Sequence, residues 1–219
     1  MTTTSGSTDA TGATTASATD SDGRTPTSPF AEYSARLGRE LATALVTHRE
    51  DTDLAAEVAR IAAALSAAAE APSAVVVDDP ARPAAHIPFD ITPASSPRNP
   101  IAPPMDIRWD GERSRCELTL PLQYQGPPGR VHGGIVALLL DHVLGNAANA
   151  GDSPRSYTRY LNVQYDGATP IGGDIVIEGW LDREEGRKRF MAGRILVDGQ
   201  TSVQAEGLWI RPKDPVPAE

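Results

Sequence analysis

Cysteine is almost absent from this 219-residue chain: Cys116 stands alone. One cysteine excludes an intramolecular disulfide framework and fits a reducing compartment such as the cytoplasm. Cys116 itself reads as a small apolar filler in a strand. Long apolar runs are missing too. No segment approaches the ~18 apolar residues needed to span a bilayer, and the first residues lack the basic-then-apolar order of a secretory signal. Neither membrane insertion nor export is expected. Positive charge is scarce, with 20 Lys and Arg against 29 Asp and Glu and a net charge of -9. That balance argues against a nucleic-acid or anionic-membrane partner, and any polyanionic ligand would need a local basic cluster.

Residues 1–29 lack large apolar side chains beyond Met1, so they cannot bury enough surface to offset their ordering entropy, and a disordered tail is expected. Asp9, Asp20 and Asp22 against Arg24 alone do not make a transit peptide. Across residues 30–70 the pattern turns helical: Leu37, Leu41, Leu45, then Leu54, Val58, Ile61 and Leu65 recur at three- and four-residue steps. Two amphipathic helices broken near 47–52 result, read as a helical hairpin lying on the core or on a partner subunit, with a recruitment or lid role as the alternative. Nine prolines between 71 and 104 preclude a continuous helix or central strand, leaving a Pro-rich linker partly packed on the core.

The chain is organised around residues 132–144. From Ile135 to Leu144 nearly every position is apolar, and a helix apolar all round must be buried. Asp141 interrupts the run, and a carboxylate there is costly unless paired, so it reads as a satisfied structural ion or a working group. Gly133 and Gly134 stand where the helix begins, and without Cβ atoms they leave the first backbone N–H groups open to an incoming oxygen at the positive end of the dipole. Gly133 and Asp141 are eight residues apart, about 12 Å along one helix. One carbonyl cannot touch both. If both act on it, a second copy of the helix must supply one of them, which implies at least a homodimer.

Strand character begins near Met105. Residues 113–120 alternate, with Cys116, Leu118 and Leu120 on one face, and Gln125-Gly126-Pro127-Pro128-Gly129 forms a turn feeding the helix. Residues 156–165, 174–181, 187–197 and 201–211 read as four more strands, separated by Asp166-Gly167, residues 183–186 and the two-residue Asp198-Gly199. Short turns make neighbours antiparallel. The expected class is α+β: a curved antiparallel sheet wrapped around one long central helix.

Gly126-Pro127-Pro128-Gly129-Arg130-Val131-His132-Gly133-Gly134, then Asp141, then Thr158 ahead of Leu161-Asn162-Val163-Gln164-Tyr165, then Glu185-Gly186-Arg187-Lys188, resembles the hotdog-fold acyl-CoA thioesterases. The likeness is to the branch related to phenylacetate-pathway thioesterases and the mammalian thioesterase-superfamily hydrolases. Asn99-Pro100-Ile101-Ala102-Pro103-Pro104 is similar to a segment of bacterial members. The resemblance covers about residues 98–211 and implies a hotdog domain over 105–213 that hydrolyses an acyl-CoA with no metal or cofactor. It implies homodimers, or dimers of dimers, with the site at the subunit interface.

Carried over residue by residue, the resemblance makes Asp141 the catalytic carboxylate, as general base or as nucleophile through a mixed anhydride. Gly133 becomes the backbone oxyanion donor, Gly134 its neighbour in the same turn, and Thr158 the hydroxyl that positions water or the carboxylate from a neighbouring protomer. His132 is expected to hydrogen-bond the loop at the start of the helix and shape the pocket rather than act in acid–base chemistry. His142 reads as a packing or interface residue. Many relatives carry an Asn or Gln as a second carbonyl donor where this chain has Gly126, so Gln125 or a backbone N–H takes that place. Arg187, Lys188 and Arg189 are a solvated hairpin end by default, and the local basic candidates for coenzyme A phosphates. Val136, Leu139, Leu140 and Val143 are expected to line the acyl pocket. Two rivals remain: a hotdog dehydratase or hydratase, for which His132 lies about 13 Å from Asp141 on one helix, and a non-catalytic acyl-CoA or acyl-carrier-protein binding module.

Overall fold

The computed structural model describes residues 29–47, 52–68, 92–96, 99–150 and 155–213. Of the tail expected to be disordered over residues 1–29, Pro29 begins α1 and the rest, like most of the proline-rich stretch, falls outside the described residues. Two N-terminal helices, α1 (Pro29–Thr47) and α2 (Thr52–Ala68), precede β1 (Arg108–Trp109), β2 (Arg113–Thr119), a 3-10 turn (Leu122–Tyr124), α3 (Gly133–Ala148), β3 (Tyr157–Tyr165), β4 (Asp174–Glu185), β5 (Lys188–Val197) and β6 (Gln200–Ile210).

The strands form one antiparallel sheet in the order β1-β2-β4-β5-β6-β3. The β5–β6 hairpin closes at Asp198-Gly199 as expected, but β4 runs on to Glu185 through residues expected as a turn, and β3 pairs with β6 and not with β4 across Asp166-Gly167. Asp198 and Gly199 both take left-handed φ, 50° and 75°, the twist that a two-residue hairpin loop needs. Alternation gives β2 and β5 one buried row each: Ser114, Cys116 and Leu118 on β2; Arg189, Met191, Gly193 and Ile195 on β5. Burial pushes the Cys116 thiol up to about 11, so it stays protonated as a filler.

The sheet packs on α3, whose Val136, Leu139, Leu140, Val143, Leu144, Ala147 and Ala148 are buried among Ile175, Ile177, Ile195, Val203 and Trp209. Gly179 and Gly193 face each other across β4 and β5. A Cβ on Gly193 would lie 2.4 Å from Leu144, so this glycine lets the helix sit close on the sheet. Because Val136, Leu139, Leu140 and Val143 are spent in this core, they do not line an acyl pocket as expected. The helix's opposite side, with Ile135, Leu138 and Asp141, is only half-buried.

The N-terminal elements differ from one another. α1 leans on the core: Thr43 Oγ1 donates to Gln123 Oε1 at 2.8 Å, and Gly38 seats Pro100. Among the described residues α2 makes no substantial contact with α1 or the sheet. Its alanine-rich sequence offers few large side chains to bury. The end of the proline-rich stretch does pack: Ala94, Ser96 and Ala102 are buried, and the Tyr124 hydroxyl donates to the Ile101 carbonyl.

Candidate active site

The loop into α3 is pinned from several sides. Gly126 N–H donates to Arg130 O, Val131 N–H to Thr169 O, and His132 N–H to Tyr124 O, all at 2.9 Å. Gln125 Oε1 accepts from Gly129 N–H at 3.0 Å, which leaves only its amide NH2 free to donate. A Cβ at Gly126 would lie 2.8 Å from His132 Cα, so the loop as folded has no room for a side chain there.

His132 is the N-cap of α3. Its carbonyl accepts from Ile135 and Val136, and its ring Nδ1 accepts from Gly134 N–H at 3.0 Å, which puts the ring proton of the neutral imidazole on Nε2. This corrects the expectation for Gly134: its N–H is committed to His132 and is not open to an incoming oxygen. Gly133 N–H finds no acceptor among the described residues. The helix dipole and this single donor are what the N-terminus offers. Tyr165, at the far end of β3, donates its hydroxyl to the Gly133 carbonyl at 2.8 Å, a contact that no local sequence signal announces.

Two turns along, Asp141 is half-buried on the side of α3 that the sheet leaves open. Thr158 Oγ1 donates to Asp141 Oδ1 at 3.0 Å, and no second hydrogen-bond donor among the described residues reaches the carboxylate. The hydroxyl therefore comes from the same chain, not from a neighbouring protomer. A bulge in the β3–β6 register between Thr158 and Tyr160 re-aims the strand beside Asp141. His142, next to Asp141, turns inward to Ser95, with Oγ and Nε2 2.6 Å apart. Burial holds its ring below the usual imidazole range, against the opposing pull of the Asp141 charge.

The basic hairpin is split by its partners. Arg189 is buried, pairing with Glu184 at 2.9 Å and donating to the Ala148 carbonyl at the end of α3. Arg187 donates to the Arg211 carbonyl at 2.7 Å, and Lys188 is exposed. Both lie at the C-terminal end of α3, away from Gly133. Arg189, Trp209 and Thr158 form one row across β5, β6 and β3, which places this hairpin on the Thr158 side of the sheet.

Within one chain, then, Asp141 and Thr158 are together, Gly133, Gly134, His132 and Tyr165 are together, and the two groups stand about 12 Å apart along α3. A cavity of about 560 Å³ between α1 and the β2 end, lined by Arg39, Thr43, Leu120 and Gln123, includes neither group. Among the described residues no group of three or more His, Cys, Asp or Glu side chains could hold a metal ion, and no helix is long and apolar enough to cross a membrane.

Comparison with known proteins places this arrangement. No family model matches the chain. A solved protein of the thioesterase superfamily is 33% identical with a TM-score of 0.71, the match covering 84% of this chain and 97% of that one. Acyl-coenzyme A thioesterase THEM4 of Bos taurus is 33% identical over 104 residues, covering 47% of this chain and 42% of that protein. The Mus musculus THEM4 is 34% identical over 92 residues, covering 41% and 39%. The match spans less than half the length of these curated relatives. With a long helix held against an antiparallel sheet, and a solved relative matched over nearly its whole length, the chain belongs to the hotdog-fold thioesterase superfamily.

Proposed function

We propose that this protein hydrolyses an acyl-CoA thioester to a free carboxylic acid and coenzyme A, at a site shared between two copies of the chain. The observation that carries this reading is the division of labour along α3. Among the described residues, a carboxylate with one oxygen held by Thr158 and the other open lies two turns from a backbone N–H with no acceptor.

In the general-base route, Asp141 Oδ2 takes a proton from water as the water oxygen attacks the thioester carbon. The oxyanion that forms is held by Gly133 N–H of the second copy, the C–S bond breaks, and the thiolate leaves with the proton from Asp141. In the nucleophilic route, Asp141 attacks first and water then opens the anhydride. Single turnover in ¹⁸O-water tests the second route, since solvent oxygen found on Asp141 can come only from water opening the anhydride at the Asp141 carbonyl. Lys188 and Arg187, on the Thr158 side, are the cations offered to the phosphates of coenzyme A.

Dimerisation is supported by β3. It is an edge strand nine residues long, paired among the described residues with β6 alone, and Tyr157, Tyr160 and Tyr165 are 38–52% exposed along it. An uncovered edge of that kind invites strand pairing. A second copy docked on it would also cover the half-exposed side of α3 that carries Ile135, Leu138 and Asp141.

The test is thiol release from short, medium, long and aryl acyl-CoAs by the wild type beside Asp141→Asn. Turnover that falls at least about a hundredfold in the mutant is expected. No turnover across the panel, with acyl-CoA still bound, would replace this reading with the binding module.

A further inference from the structure

We propose that Tyr165 is a positioning residue that, together with His132, clamps the peptide between Gly133 and Gly134 and so aims the Gly133 N–H. This rests on the thioesterase reading of the same site and adds a residue to it. The peptide is held at both ends: its carbonyl accepts from the Tyr165 hydroxyl at 2.8 Å, and its N–H donates to His132 Nδ1 at 3.0 Å. Hydroxyl, peptide and imidazole form one chain of hydrogen bonds in which each polarises the next. The Gly133 N–H belongs to the preceding peptide, whose His132 carbonyl accepts from Ile135 and Val136; holding the following peptide as well fixes Gly133 from both sides, where a glycine would otherwise let the first turn loosen.

The clamp is itself braced. Tyr165 is followed by Asp166, whose N–H, like that of Gly167, donates to the Ser202 carbonyl. The Asp166 carboxylate accepts from both Gln164 Nε2 and Gln204 Nε2 at 2.8 Å. The end of β3 is thus locked to β6 just where Tyr165 leaves it. The ring lies beside Gly133, where an added Cβ would meet it at an ordinary 3.6 Å, so the phenol covers the glycine without crowding it.

β3 therefore holds both halves of the site. Thr158, near its start, positions the Asp141 carboxylate, and Tyr165, at its end, positions the glycine turn. Tyr165 is 52% exposed in the single chain, so its place is at the β3 edge beside the glycine turn and not in the chain's own core.

The experiment uses Tyr165→Phe in the full chain, which keeps the ring and removes only the O–H. Two readouts are taken: kcat and KM on the best acyl-CoA substrate, and the Gly133 carbonyl ¹³C and Gly134 amide signals without substrate. The expected result is a fall in kcat of about five- to tenfold with KM within about twofold. An upfield move of the Gly133 carbonyl and faster exchange of the Gly134 amide are expected alongside. His132→Ala and the double mutant should be non-additive in kcat, since either change releases the same peptide. Unchanged kcat with Tyr165→Phe overturns the proposal whether or not the signals move, as does a loss confined to KM. If the signals move as expected but the wild type releases no thiol from any acyl-CoA, the clamp stands as geometry and the thioesterase reading is what fails.

Discussion

The two ends of α3 are finished in opposite ways. At the C-terminus every device closes the helix. Asn149 N–H donates to Gly145 O and Asn146 O, its side-chain amide donates to Gly145 O and accepts from Ser156 N–H, and buried Arg189 donates to the Ala148 carbonyl. A guanidinium at this end also suits the negative pole of the dipole. At the N-terminus the Gly134 N–H is capped by His132, and the Gly133 N–H before it is left without an acceptor among the described residues. Helix ends that serve only the fold satisfy their orphan groups internally; the end that leaves one open is the one available to a ligand.

The sharpest way to break this contrast is to remove the open donor alone. Gly133→Pro deletes the N–H at a first helical position, where proline fits, and His132 already has the extended backbone (φ -61°, ψ 134°) that a residue before proline prefers. We expect kcat to fall about 10²- to 10³-fold with thermal stability nearly unchanged, whereas Gly133→Ala, which keeps the N–H, loses only a few-fold. Mixing inactive Gly133→Pro with inactive Asp141→Asn and allowing subunits to exchange should restore about a quarter of wild-type activity, the statistical yield of one intact site per mixed dimer. No recovery after demonstrated exchange would mean that the site is not shared.

The closed end should answer in stability instead. Arg189→Ala leaves the Ala148 carbonyl unpaired and removes a buried charge from Glu184, and is expected to cost about 3 kcal/mol in urea unfolding. A cost near zero would mean that the end is closed by Asn149 alone.

The smallest effect lies between the two ends, at His142. Its folded pKa is depressed by burial, so the contribution to stability is fully present above the unfolded value near 6.5 and is lost as pH falls through the folded value. The wild type should therefore show a modest drop in urea midpoint on acidification below about pH 6.5. His142→Gln should lack that part of the slope, and an identical slope in both proteins would assign it to other groups.

Much of this contrast could be read before folding was considered. The apolar run of α3, its glycine pair, Asp141 and the turn at Asp198-Gly199 all act through preferences of a few adjacent residues, and each lies where expected. The half-buried side of α3 and the burial of Val136 and Leu139 could not be told apart in that run, because a helix apolar all round does not say which side meets its own sheet. The bulge at Thr158 was equally hidden, since register depends on the partner strand β6.

The sequence by itself determined the element types, the Asp198-Gly199 turn and the donor–carboxylate spacing along one helix, because these are set by backbone geometry and local side-chain chemistry. Only the tertiary structure decided that Thr158 serves Asp141 of its own chain and that Tyr165 joins His132 in holding the glycine turn, leaving Gly133 as the open donor. The His132 cap of Gly134 is local and was expected; the Thr158 and Tyr165 contacts join residues 17 and 32 positions apart. They exist because β6 carries β3 to the sheet edge beside α3, a consequence of strand order that no local pattern encodes.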